Sequence, residues 1–225
     1  MTTTYQDPEV RRALRALADD RPSVRLKAAL AVGTAPDERF VDALVERCAV
    51  EPEFFVRDML TWALTRHPDA LTLPRVLAEL GSERTRARSQ ALHTLSKIGD
   101  RRAWPALTRA HLTDPDDEVA RAAWRTAVLL VPHGEEPALA AVLATQLGRG
   151  GRETQLSLSR ALIGLGDVIL PVLDTAAAAP DPLVRAHALA TRRILDDPDP
   201  DTGFAYAIEE AKRVVALDGS PGEGH

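Results

Sequence analysis

The sequence is poor in several of the residue types that chemistry usually needs. Cys48 is its one cysteine, which excludes a disulfide framework and any multi-thiolate metal site. The six histidines are His67, His93, His111, His133, His187 and His225; no two sit three or four apart and none is followed by Glu. That excludes the paired ligands of helix-borne metal centres. No apolar run approaches the roughly 18 residues of a membrane span. No window alternates polar and β-branched apolar residues, so no sheet is expected. The opening Met1 to Pro8 has no basic stretch leading into an apolar run and does not read as a secretory leader. Aromatic residues make up 4% of the chain, and Arg outnumbers Lys 25 to 3. With abundant Ala, that ratio is the habit of a GC-rich bacterial genome. The expectation is a cytoplasmic protein with no cofactor, no metal and no membrane contact, and more a binding protein than an enzyme.

The chain has 225 residues, 45% hydrophobic and 27% charged, enough for a buried core in one large domain or two small ones. The net charge of −5 hides a split. Residues 1–112 carry 18 Lys/Arg against 15 Asp/Glu, whereas residues 113–225 carry 10 against 18. The densest basic cluster is Arg84, Arg86, Arg88, Arg101, Arg102 and Arg109.

A repeat organises everything else. An acidic or Pro-containing turn, an apolar anchor, usually an Arg beside it, then an Ala/Leu-rich helix recur along the chain. The anchors are Val24, Val56, Ala87, Val119, Thr154 and Val184, spaced by 32, 31, 32, 35 and 30 residues. Positions 0, +4, +8 and +11 from each anchor are mostly apolar, which is one face of a helix. Ala87, Ala91, Leu95 and Ile98 form that set in the third repeat; Val119, Ala123, Ala127 and Leu130 form it in the fourth. Pro74, Pro105 and Pro137 each follow their anchor by 18 residues and Pro171 by 17. Proline is tolerated in a first helical turn, so each repeat is expected to hold helix A, a turn, and helix B opening near its Pro. Gly99-Asp100 and Gly166-Asp167 supply A-to-B turns. Residues 8–18 are expected to cap one end and 203–217 to close the other. Residues 1–217 then form one domain and 218–225 a disordered tail.

The stretches Ile98-Gly99-Asp100-Arg101-Arg102-Ala103-Trp104-Pro105-Ala106-Leu107 and Asp114-Pro115-Asp116-Asp117-Glu118-Val119-Ala120-Arg121-Ala122-Ala123 resemble HEAT repeats. The short variety first noted in phycobilin lyases is the most similar. The resemblance runs over roughly residues 8–217 and is weak at the fifth repeat, where Gln155 replaces the Arg. It implies an all-α, right-handed α-α superhelix of about six helical hairpins, with B helices lining a concave face. Each repeat in such an array buries its apolar side only against its neighbours.

The recurring Arg25, Arg57, Arg88 and Arg185 read as structural, bonding turn carbonyls and carboxylates, with Asp20, Glu51, Glu83 and Asp181 as the natural acids. On the resemblance, the partner-binding residues are those of the B helices: Glu46, Arg47, Arg75, Glu79, Thr108 and Arg109. They make the expected function a scaffold holding a protein partner in its groove. Asp58, Trp62 and Arg66, spaced by four on one helix face, resemble the constellation of HEAT-like alkylpurine DNA glycosylases. They carry the alternative of a nucleic-acid-binding protein, against which stand the net charge and the scarcity of Lys. A lyase or chromophore chaperone is the third expectation, from resemblance alone. Leu147-Gly148-Arg149-Gly150-Gly151-Arg152 is Gly-rich and basic but follows a helix and lacks the Lys-Ser/Thr ending of a phosphate loop, so it reads as an inter-helix loop.

Overall fold

The computed structural model describes residues 7–196, 208–209 and 211–213. Among these every regular element is helical, and the helices pack as successive hairpins of an all-α solenoid. The chain divides into two compact units at Leu107/Thr108.

The first unit opens with α1 (Pro8–Leu17). Asp7 accepts from the Glu9 N–H and Pro8 fills the first turn, so the orphan donors there cost nothing. Three A helices follow, α2 (Pro22–Thr34), α4 (Phe54–Thr65) and α6 (Thr85–Ile98). They pack side by side, α2 on α4 and α4 on α6. The B helices are α3 (Val41–Val50), entered through a 3-10 turn at Glu38–Phe40, and α5 (Asp69–Ala78). Gly33 lets α2 and α4 come close. A Cβ there would come within 2.8 Å of the Trp62 ring and 2.9 Å of the Ala63 Cα, which leaves room for hydrogen alone.

The second unit holds the short α7 (Arg109–Leu112), then α8 (Asp117–Leu130), α9 (Glu136–Ala144), α10 (Arg152–Ile163), α11 (Leu170–Ala177) and α12 (Pro182–Asp196). Here α8 packs on α10, α10 on α12, and α9 on α11. Ile208 and Ala211 are buried against Ala186 and Ala190. Residues 203–207, 210 and 214–217 of the expected closing helix, and the expected tail, lie outside the described residues.

The apolar pattern of the A helices is realised. Val119, Ala123, Ala127 and Leu130 are all fully buried, as are Ala87 and Leu95, while Ile98 is only partly covered. The proline rule holds for half of its cases. Pro137 and Pro171 sit in the first turns of α9 and α11. Pro74 instead lies inside α5, which starts five residues earlier at Asp69. Pro105 stops an α-helix from forming. The region expected to be the third B helix is a 3-10 stretch, Arg101–Ala106, followed by extended Leu107 and Thr108 and the single-turn α7. A proline withholds the N–H that the α-helical ladder needs at its position. The chain divides into its two units at this break.

The recurring arginines are clamps. Arg25, Arg57, Arg88 and Arg185 each aim Nη1 at the carbonyls six and five residues back. These are Asp19 and Asp20, Glu51 and Pro52, Ser82 and Glu83, and Ala179 and Pro180, at 2.6–3.1 Å. One guanidinium thus closes each inter-repeat turn onto its own helix A. Of the four expected acids only Glu51 binds a guanidinium with its side chain, and it does so from the following turn. Arg25 grips it with two bonds of 2.7 Å, Arg47 adds a third at 2.8 Å, and the Glu53 N–H a fourth. Burial pushes the Glu51 carboxyl upward, but the Arg25, Glu53 and Arg47 donors outweigh it and hold the group ionised.

The two repeats without the Arg keep the clamp by other means. Gln155 donates to the Gly150 carbonyl, again five residues back. In the fourth repeat Ala120 stands where the Arg would be, and Arg149 takes over, donating to the Asp114 carbonyl at 2.6 Å and to Asp117 at 2.9 Å. Its guanidinium also lies 5.9 Å from the ring of the fully buried Trp124, whose Nε1 donates to the Leu112 carbonyl. Gly148 and Gly150, at φ 83° and 66°, bend the loop that brings Arg149 there. The Gly-rich segment is therefore an inter-helix loop whose Arg149 is already engaged.

Candidate functional site

The B-helix side of the first unit carries a groove of about 480 Å³ between α1, α3 and α5. Val10 and Leu14 of α1, Val41 and Ala43 of α3, and Leu71 and Pro74 of α5 give it an apolar lining. Glu38, Arg39, Asp42, Glu46 and Arg75 supply its charges. A second hollow, open and about 520 Å³, shares Glu38, Arg39 and Leu71 with it, so the two run together along α5.

The groove's cations are committed. Arg39 is held by Asp37 at 2.9 and 3.0 Å and reaches Asp7 at 3.6 Å. Those bonds hold the Asp37 carboxyl down at about 2. Arg75 bonds Asp42 at 2.6 Å across the α3–α5 gap, with both side chains exposed. Glu38 and Glu46 are exposed and have no ion-pair partner among the described residues. His67 fixes the edge of the second hollow. Its Nδ1 donates to the Ala63 carbonyl at 2.8 Å, and its Nε2 accepts from the Asp37 N–H at 3.3 Å.

Of the expected partner-binding residues, Glu46 and Arg75 come together in this groove. Arg47 does not line it; its guanidinium turns to Glu51. Glu79 faces inward, with Oε2 buried and without a hydrogen-bond partner, on a cavity of about 10 Å³ that also touches Cys48, Gln90 and Thr94. That space fits one water molecule. Thr108 and Arg109 belong to the second unit, where Thr108 and His111 form the capping box of α7 and Arg109 is exposed. Sequence spacing finds the groove's α3 and α5 walls but misses α1 and Glu38, because a helix expected to be a cap gives no hint that it contributes a wall.

Asp58, Trp62 and Arg66 share the exposed face of α4, as their spacing requires. No hydrogen bond or ion pair joins them among the described residues, and none of them lines either hollow. The Trp62 ring is spread over Gly33, which accounts for its position by packing.

Two other groups resemble catalytic machinery and are not. Cys48 is buried, and burial pushes its thiol up to about 12, far from a thiolate at neutral pH. Ser159 Oγ lies 3.0 Å from His187 Nε2, both fully buried. The Gly148 N–H donates to His187 Nδ1, so the ring proton sits on Nε2, which faces Ser159 and the Gln155 carbonyl. Thr191 donates to the His187 carbonyl, so in the 2.7 Å Ser159–Thr191 contact the serine is the donor. Ser159 thus sends its proton away from His187, the reverse of a nucleophile and its base. No cluster of His, Cys, Asp or Glu fit to hold a metal ion occurs among the described residues, and no described helix is long and apolar enough to cross a membrane.

Residues 56–128, from the anchor of α4 to near the end of α8, match the family of HEAT repeats. That stretch of the chain is built of HEAT repeats. No curated protein matches it. Among solved structures it is similar to the crystal structure of an engineered protein, at 17% identity and a TM-score of 0.34, over 95% of this chain and 98% of that one. HEAT-repeat helices A and B are thus α4 and α5 here, and the groove lies on the B side of the first unit.

Proposed function

We propose that this HEAT-repeat protein is a non-enzymatic scaffold that captures a segment of another protein in the groove between α1, α3 and α5. The observation that carries the reading is the groove itself. It joins an apolar lining from three helices to a rim where the two arginines are pre-oriented by Asp37 and Asp42. Apolar hollows with a few fixed polar groups are the surfaces on which protein segments anchor. Clamped turns on either side hold the lining rigid, so little ordering cost falls on binding.

Affinity capture by the full chain, quantified by mass spectrometry, tests this with two variants. Leu14→Arg plants a charge on the apolar wall, and Arg75→Glu reverses a rim charge and breaks the bond to Asp42. Loss of the same captured protein with both, at unchanged melting temperature, is the expected result. Capture that is indifferent to both variants contradicts the proposal. Binding of oligonucleotides that weakens steeply with salt would favour the nucleic-acid reading instead.

A further inference from the structure

Phe54 and Phe55 open α4 in edge-to-face contact, ring centroids 5.6 Å apart, with 64% and 75% of their surfaces in water. The repeat supplies its own control for what the fold needs there. The two residues in front of the anchor are Pro22-Ser23, Thr85-Arg86, Asp117-Glu118, Arg152-Glu153 and Pro182-Leu183 elsewhere. No packing demand puts an aromatic pair at this turn, and the chain has only four Phe to place. Val50, 41% exposed, ends α3 just ahead of the same turn. Adjacent exposed aromatics of this kind are the anchors on which interfaces are built.

The charges around the pair state the partner's sign. The Arg57 guanidinium lies 5.9 Å from the Phe54 ring centre and is pinned by the Glu51 and Pro52 carbonyls. Arg86 reaches over from the start of α6 to the same Glu51 carbonyl at 3.3 Å. Neither has a carboxylate in ion-pair range among the described residues. The carboxylate of that turn, Glu51, is fully buried and consumed by Arg25 and Arg47. Glu53 and Asp58 are the exposed acids nearest Arg57 in sequence and Glu83 the one nearest Arg86, and none of the three pairs with either guanidinium. Two cations held on neutral carbonyls beside two bare rings favour an anionic partner with an apolar side chain.

We propose that the turn formed by Val50, Phe54, Phe55, Arg57 and Arg86 docks a short acidic peptide segment. An apolar side chain of that segment covers the Phe pair, and its carboxylates take the two guanidinium forks. The surface shares no residue with the groove and stands or falls separately from it.

Fluorescence anisotropy with three labelled 15-residue peptides tests the proposal: a Glu/Leu peptide, a Lys/Leu peptide and a Glu/Gly peptide. The Glu/Leu peptide is expected to bind best. F54S/F55S, which brings in the Ser that the first repeat carries at this turn, is expected to weaken it at least about tenfold. R86Q is expected to weaken it by about threefold and to flatten its salt dependence. Both variants alter exposed side chains, so melting temperatures should not move. No binding of the Glu/Leu peptide overturns the proposal, as does equal binding to F54S/F55S or preference for the Lys/Leu peptide. Displacement of the bound peptide by oligothymidylate, or by vesicles of anionic lipid, would reassign the surface to nucleic acid or membrane.

Discussion

His187 ties the stability of the second unit to pH. It is fully buried, and desolvation lowers its pKa from the usual 6.5 to about 4, against the smaller opposing effect of the Gln155 carbonyl. The folded protein therefore takes up a proton less readily than the unfolded chain, and protonation favours unfolding. The contribution is complete above pH 6.5 and is withdrawn as pH falls toward 4. Each pKa unit corresponds to about 1.4 kcal/mol, so the full effect is about 3 kcal/mol and the loss between pH 7.5 and pH 5 is about 2 kcal/mol. Urea unfolding of the wild type and of His187→Gln at both pH values isolates it. The Gln variant should be less stable at pH 7.5, because the Gly148 N–H and Ser159 lose a fitted partner. Its additional loss at pH 5 should be smaller than that of the wild type by about 2 kcal/mol. Equal pH dependence in the two proteins would refute the assignment of a buried, neutral imidazole.

The hub at Glu51 separates structural from exposed ion pairs. Glu51→Gln leaves the buried Arg25 cation without a counter-charge and should cost about 3–5 kcal/mol in chemical denaturation; Asp42→Asn, which breaks the exposed bond to Arg75, should cost less than about 1 kcal/mol. Gly33→Ala drives a methyl group into the Trp62 ring and the Ala63 backbone and should destabilise by about 1–3 kcal/mol, with a shift in Trp fluorescence. Cys48 should resist a thiol-titrating disulfide reagent in the native protein and react fully once unfolded; stoichiometric labelling of native protein would contradict its burial.

The A helices are legible in the sequence because their information is local. An anchor, a 3.6-residue apolar stripe and an Arg one position on suffice, and α4, α6, α8 and α10 all begin two residues before the expected anchors. The identity of the Arg partners is half legible. A turn offers carbonyls to any clamp, but whether a given acid reaches the guanidinium depends on the neighbouring repeat, and only Glu51 is buried deeply enough to serve Arg25. The B side is harder to read. One proline at a constant offset carries three meanings: a first turn at Pro137, an interior position at Pro74, and a break at Pro105. Only the preceding residues decide among them. Arg149 lies beyond sequence reasoning altogether, since it compensates for a missing Arg 29 positions earlier, at Ala120. Among the groove residues, helix spacing places Glu46 and Arg75 on B helices but does not tell that Arg47, next to Glu46, is drawn to Glu51.

Whether a partner is held in the groove between α1, α3 and α5 is read out most directly by photo-crosslinking. The crosslinking residue is placed at Leu71, on the groove's lining, and compared with the same residue at Arg66 on the exposed face of α4. The predicted result is a discrete protein adduct from Leu71 that vanishes with Leu14→Arg, and no nucleic-acid adduct from Arg66. A silent Leu71 together with nucleic acid crosslinked at Arg66 would contradict the scaffold reading.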